Sequence, residues 1–229
     1  LSVGTADVDE FIVNVGAGSL EIRGIDDATE ITVTGRIWLQ DHPNDLEKVK
    51  AVVDRHVEID LVTRGDSARL TTSTSDPGFG YSLPHVDLVV TMPSRLALDI
   101  RDRSGFIVVE NVDADLKLRD DSGSINVSDI DGEIEIDDKS GSITVTNAAK
   151  SLNIEDSSGS IDVESVGADL VIDDGSGSIR VRDVRGNVTI SDGSGSINVA
   201  RIGQDLLVLE SGSGSLSYGD VEGNVSVDD

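Results

Sequence analysis

The sequence of 229 residues contains no cysteine, four prolines, one methionine and few aromatics: one Trp, two Tyr and three Phe. Without cysteine there is no disulfide framework, no thiolate nucleophile and no zinc-thiolate site, and the absence fits either redox compartment. Basic side chains are also scarce. Eighteen Lys and Arg stand against 44 Asp and Glu, for a formal charge of -26 and a pI near 4.1. Phosphate backbones and anionic lipids need basic surface, so this balance argues against nucleic acid and membrane surfaces as partners. No apolar run approaches the ~18 residues of a membrane-spanning helix. An acid-rich chain can remain disordered, but 37% hydrophobic residues with strong β-branched content are enough for a core. The length allows one or two domains. Because the chain opens at Leu1, a processed N-terminus with its export signal removed is expected.

What is present is a repeat. Ser-Gly recurs at Ser104-Gly105, Ser122-Gly123, Ser140-Gly141, Ser158-Gly159, Ser176-Gly177, Ser194-Gly195 and Ser213-Gly214, spaced by 18 residues until the last interval of 19. Counted from each glycine, position +2 is Ile in six coils and Leu216 in the last, and +4 is Val in six and Tyr218 in the last. Positions +7, +11 and +13 are also aliphatic, as in Val112, Leu116 and Leu118 of the first coil. Two short alternating stretches per coil predict two β-strands, each with one buried face. A coil this small cannot bury its own apolar residues, so it must stack on its neighbours. The predicted fold is all-β: a single-chain β-solenoid over 102–229 of about seven 18-residue coils, roughly 34 Å long at ~4.8 Å per coil. The +2, +4, +11 and +13 side chains are expected to point inward. The last interval holds its extra residue near Leu206-Leu207-Val208-Leu209, where a β-bulge is expected and either Leu206/Val208 or Leu207/Leu209 could face inward.

Residues 1–101 form an N-terminal β portion with one helix. Gly18 to Val33 match one coil, read as an orphan separated from the main array. Leu46, Val49, Val52 and Val53 fall on one stripe, which predicts a helix of about 44–57 with Asn44 as its N-cap. That helix is expected to pack on or cap the solenoid. Val57–Thr63 and Ala68–Thr74 alternate around Arg64-Gly65-Asp66 and predict a hairpin. Val86–Thr91 and Leu96–Arg101 are predicted strands interrupted by Met92-Pro93.

These residues carry a resemblance. The strand from Asp87, Met92-Pro93, the alternation Leu96-x-Leu98-x-Ile100, and then the Ser-Gly coils are similar to the bacterial putative-adhesin β-strand-repeat family, a domain of unknown function, over about Gly18 to Asp229. The resemblance implies a periplasmic, cell-surface or secreted envelope protein, and it offers no catalytic residues to carry over.

Several patterns compete for chemistry. Three residues before the glycines stand Asp102, Asp120, Asp138, Asp156, Asp174 and Asp192, with Ser211 ending the series. Stacked about 4.8 Å apart, these like charges repel. In the favoured reading each Asp caps its own turn by accepting backbone N–H groups. The alternative is a Ca²⁺ ladder with Asp120, Asp138, Asp156, Asp174 and Asp192 as ligands, since oxygen-only acidic sites suit that ion. The glycine-rich nonapeptide of calcium β-rolls is absent, and Asp here precedes the glycine. The Ser columns, such as Ser122/Ser124 and Ser140/Ser142, have no histidine base within the repeats and are read as turn hydroxyls. His42, His56 and His85 lack metal-ligand spacing. Arg64-Gly65-Asp66 spells an integrin-binding tripeptide but is ordinary turn chemistry.

The functional expectation is a non-catalytic envelope or surface module, a rigid acidic spacer or binding surface for a protein or glycan, without cofactors, and a monomer or weak end-to-end dimer. The alternative is a carbohydrate-active enzyme of the β-helix type, whose paired carboxylates need a desolvating cleft that minimal coils do not build.

Overall fold

A computed structural model describes residues 1–40, 45–78 and 82–228. Asn44, His42 and Asp229, invoked above, lie outside the described residues. The elements in chain order are β1 (Ser2–Gly4), β2 (Glu10–Asn14), β3 (Ala17–Ile25), β4 (Glu30–Trp38), α1 (Leu46–His56), β5 (Val57–Arg64), β6 (Ser67–Thr74), β7 (His85–Pro93) and β8 (Ala97–Arg101). The repeats follow as pairs: β9 (Ser104–Val112) with β10 (Leu116–Asp120), β11 (Gly123–Ile130) with β12 (Ile134–Asp138), and β13 (Gly141–Ala148) with β14 (Leu152–Asp156). The remaining pairs are β15 (Gly159–Val166) with β16 (Leu170–Asp174), β17 (Gly177–Val184) with β18 (Val188–Asp192), β19 (Gly195–Ile202) with β20 (Leu206–Glu210), and β21 (Ser215–Val221) with β22 (Val225–Val227). The protein is an all-β solenoid. Each coil contributes one strand to each of two 11-stranded sheets.

Within the repeats every neighbouring pair of strands is parallel and in register at an offset of one coil: Ile125 lies beside Ile143, Ile143 beside Ile161, and Leu152 beside Leu170. The +2, +4, +7, +11 and +13 side chains from Ile107 to Val208 are each at most 2% exposed and form continuous aliphatic ladders between the sheets. Strict alternation would send +7 outward. It is turned inward because position +6, occupied by Asn111, Asp129, Asn147, Ser165, Asp183, Arg201 and Asp220, takes a left-handed conformation with φ between 56 and 65°. Asn and Asp tolerate that region better than most residues, which accounts for five of the seven.

The Ser-Gly glycine has a separate reason. Gly123, Gly141, Gly159, Gly177 and Gly195 sit at φ +143 to +153°, and a Cβ added at any of them would lie 1.6–1.8 Å from the carbonyl oxygen of the glycine one coil below. No side chain fits between coils at that corner.

The same column relocates the N-terminal coil. Gly18 lies beside Gly105, and a Cβ on Gly105 would meet the Gly18 carbonyl oxygen at 1.6 Å, so β3 continues the main array instead of standing apart from it. Sheet order shows how this happens: β7, β3 and β9 are neighbours in one sheet and β6, β2 and β8 in the other. The segment from Glu10 to Ile25 is therefore inserted between two coils that follow one another in the chain. Arg95 pins it, its guanidinium donating to the carbonyls of Thr5 at 2.7 Å and Val8 at 2.8 Å.

The predicted hairpin is β5–β6, antiparallel, with Gly65 at φ 63° in its turn. The helix α1 starts one residue later than expected, with Asp45 accepting from the Lys48 backbone N–H at 3.2 Å, and it lies beside the edge strand β5. Of the predicted stripe only Val52 is buried, and Leu46 is 81% exposed. In the bulged coil Leu206 and Val208 face inward, while Leu209 is the extra residue, 44% exposed, where the register shifts between Ile190 and Ser191.

The inward assignment predicts a contrast. Ile161→Asp puts an uncompensated carboxylate into the ladder and should cost about 4 kcal/mol or more. Arg180→Asp replaces an exposed 3.1 Å contact with Asp162 by an exposed like-charge pair across the strands and should cost about 1 kcal/mol or less. Thermal unfolding by circular dichroism compares the two, and equal losses would contradict the assignment.

Candidate functional site

The acidic column lies inside the solenoid. Strand β10 alternates Leu116, Leu118, Asp120 on its inner side, and each later coil does the same, so the Asp at the end of the second strand inherits the inward direction of the two aliphatics before it. Asp102, Asp120, Asp138, Asp156, Asp174 and Asp192 are between 0 and 7% exposed, and the five from Asp120 onward lie side by side in register. The Oδ1 atoms of Asp138, Asp156, Asp174 and Asp192 accept the backbone N–H two residues on, at 3.0–3.3 Å, in Ser140, Ser158, Ser176 and Ser194. Asp102 accepts from Arg103 at 2.8 Å. The bonds of Asp138, Asp156, Asp174 and Asp192 are Asx turns, the geometry of the turn-capping reading.

Capping uses one oxygen. The Oδ2 atoms of Asp138, Asp156, Asp174 and Asp192, and both carboxyl oxygens of Asp120, are buried without a hydrogen-bond partner. Desolvation is the largest influence on these groups and pushes their pKa upward: Asp102 to about 7, Asp138 and Asp174 to about 6, and Asp120, Asp156 and Asp192 in the same direction. Like-charged neighbours add to the rise at Asp102, Asp138 and Asp174, and backbone N–H groups oppose it.

The other candidates do not converge. Ser142 Oγ donates to Ser124 Oγ at 3.0 Å along the stack, while Ser122 and Ser158 donate to the carbonyls of Arg103 and Lys139. His85 stacks on Trp38, ring centroids 4.3 Å apart, and His56 meets Ser75 at 3.0 Å. Arg64-Gly65-Asp66 occupies the β5–β6 turn. Among the described residues no group of three or more His, Asp or Glu side chains is placed to hold a metal ion.

A surface feature escaped the sequence reading. Along the left-handed corner runs a groove of about 1050 Å³ spanning the coils from Asn111 to Glu222, lined among others by Asp113, Asp131, Asn147, Arg185 and the 2.5 Å Arg201–Asp183 pair. Its sequence signal is the recurrent Asn or Asp at +6, which breaks the alternation at every coil. The groove has no aromatic lining.

A family model, Toastrack DUF4097, matches residues 8–227. The chain belongs to this family. The match takes in the inserted N-terminal coil as well as the repeats. A crystal structure of a putative adhesin from Bacteroides fragilis superposes with a TM-score of 0.61 at 14% identity, covering 96% of each chain, and shows the same fold. A putative cell adhesion protein from Clostridium sporogenes (TM-score 0.37, 10% identity, 98% and 96% covered) and a putative adhesin from Parabacteroides merdae (0.34, 14%, 99% and 95%) are more distant in shape, and nothing is built on them. No curated protein matches the chain.

Calcium needs six to eight oxygen ligands, whereas the rungs of the column offer at most one or two unpartnered carboxyl oxygens each, walled by aliphatic side chains. Thermal unfolding in Ca²⁺, Mg²⁺ and NaCl at matched ionic strength should therefore shift alike. A calcium-selective rise that disappears in Asp138→Asn/Asp156→Asn/Asp174→Asn would make the column a cation site.

Proposed function

We propose that this chain is a non-catalytic module of the bacterial surface or envelope, a rigid acidic rod that serves as a spacer or as a binding face for an extracellular protein or glycan. The observation that carries this reading is the uniformity of the coils. From Gly105 to Leu206 no coil carries an insertion, the ladders are unbroken, and the buried carboxylates are walled in by aliphatics instead of facing a cleft. A glycosidase needs two carboxyl groups flanking a bound sugar. The column offers carboxyls that substrate cannot reach, and the exposed acids lie on flat sheet faces or in an open groove. The adhesin-like fold of the B. fragilis protein agrees with a place outside the cytoplasm. Among the described residues no helix is long and apolar enough to cross a membrane.

A panel of bacterial and host polysaccharides incubated with the protein should yield no reducing ends above buffer. Turnover that a single exposed carboxylate substitution abolishes, for example Asp131→Asn in the groove, would replace the module reading with the enzymatic one.

At one end β21 and β22 are sheet edges, with Tyr218, Val225 and Val227 exposed. Such edges invite pairing, but the formal charge of -26 opposes the approach of a second copy until salt screens it. Light scattering should therefore report a monomer at low ionic strength and weak dimers as salt rises. A tight dimer at every salt concentration would mark this end as a dedicated interface.

A further inference from the structure

Six carboxyl groups in successive coils, all turned into the core, leave a physical problem that turn-capping does not solve. Asp102, Asp120, Asp138, Asp156, Asp174 and Asp192 each have Asp neighbours one rung away, and burial removes the water that would otherwise screen them. The charged groups that face the column are its own members and Asp121, which adds its negative charge beside Asp102 and Asp120. Among the described residues no Lys, Arg or His offsets them. Arg103 and Lys139, which directly follow Asp102 and Asp138, are exposed, and Lys139 pairs outward with Asp121. The second strands present Leu and Ile to the column, and the first strands opposite present Ile and Val. The three histidines belong to the N-terminal portion.

Ionised, such a column would hold a line of uncompensated charges in a hydrocarbon interior, which proteins avoid by neutralising the group. A neutral acid also corrects the hydrogen-bond deficit. A carboxylate only accepts, whereas a carboxylic acid carries one O–H donor, and the oxygens left unpartnered in five consecutive rungs are the atoms that lack one.

We propose that the Asp102–Asp192 column is a proton-binding element: the folded solenoid takes up protons on these buried carboxyls, so that acid tightens the rod and mildly alkaline conditions loosen it. The property goes beyond the spacer or binding role and holds whichever of the two the rod performs. The direction follows from the groups themselves. Their folded pKa values lie above the usual 3.8, at about 7 for Asp102 and about 6 for Asp138 and Asp174. The contribution is therefore fully present below about pH 4 and is lost as pH rises through 6 to 7. Ordinary exposed carboxylates have finished titrating by about pH 5.5, so relief of general surface repulsion is confined to more acid conditions. The carboxyl titration that remains between about pH 5.5 and 7.5 is therefore the column's.

The test is thermal unfolding of the full chain by circular dichroism across that window, for the wild type and for Asp138→Asn/Asp156→Asn/Asp174→Asn. The wild-type Tm is expected to fall by about 5 °C or more as pH rises through the window. The variant, whose carboxamides are neutral and carry their own donors, should keep only the part of that slope due to Asp102, Asp120 and Asp192, and at about pH 7.5 should match or exceed the wild type. It keeps all three histidines, so a slope that they cause would survive in it. A flat wild-type profile, or an equal slope in the variant, overturns the proposal. Should the triple variant not fold, Asp156→Asn alone and infrared detection of protonated carboxyl C=O in the folded wild type decide the matter. A band present at about pH 5.5 and lost by about pH 8 supports the proposal, and a spectrum containing only carboxylate at both overturns it.

Discussion

Every coil of this protein relies on the one beside it. Eighteen residues make two strands, but their aliphatic side chains are covered only when an identical pattern lies one rung above and below, held there by parallel backbone hydrogen bonds in strict register. A slip of one residue would expose the whole set, because side chains in a strand alternate between faces. The glycine corner enforces the stacking distance: coils approach there so closely that a methyl group would collide with the carbonyl below. The constraint also reaches outside the core. The pairs Lys117–Glu135, Arg180–Asp162, Arg182–Glu164 and Arg201–Asp183 each join positions one coil apart, so much of the small stock of basic residues is placed across rungs. Individually these exposed pairs contribute little, on the order of 0–1 kcal/mol.

The two corners of the coil follow opposite chemistries. At +6 the backbone enters the left-handed region and the side chains turn to solvent, which returns +7 to the core and opens the long groove on the surface. At the other corner the second strand ends on an Asp that is still directed inward, so a turn-forming residue becomes a buried carboxyl group. One carboxyl oxygen satisfies the turn and the other has nothing to accept from. Stacking turns a local convenience into a column of like groups.

The chain shares its family with Toastrack domains and its fold with a B. fragilis putative adhesin at 14% identity. The coils vary freely on the outside, as in Val108, Asn126, Thr144, Asp162, Arg180 and Asn198 at +3, while the inner positions keep to Ile, Leu, Val and Ala. Such a surface can be altered for different contacts without disturbing the rod. The inserted segment from Glu10 to Ile25 adds a further restraint, because it ties an early part of the chain between strands that come later in it.

Much of this was legible in the sequence because a repeat reports its structure many times over. Aliphatics at +2, +4, +11 and +13 across successive coils identify strands, inward faces and stacking without any knowledge of the fold. The Asp column was legible as a column, and its Asx turns as turns, since both follow from local spacing. Its burial is not legible in the turn chemistry: two more residues of alternation past +13 carry +15 inward, and where a strand ends is decided by its neighbour. The same holds for Leu206 and Val208, which a local pattern of four apolar residues cannot separate from Leu207 and Leu209 until the coil below imposes its register. The helical stripe predicted a buried face that the fold largely leaves in solvent. The place of the N-terminal coil could not be read at all: Gly18 and Gly105 are adjacent because their corners are complementary in three dimensions, and sequence distance carries no information about which of several equivalent edges a strand will join. Periodicity determined what each coil is, and only tertiary packing, through the open edges available when the chain closes on itself, decided the order in which the coils stack.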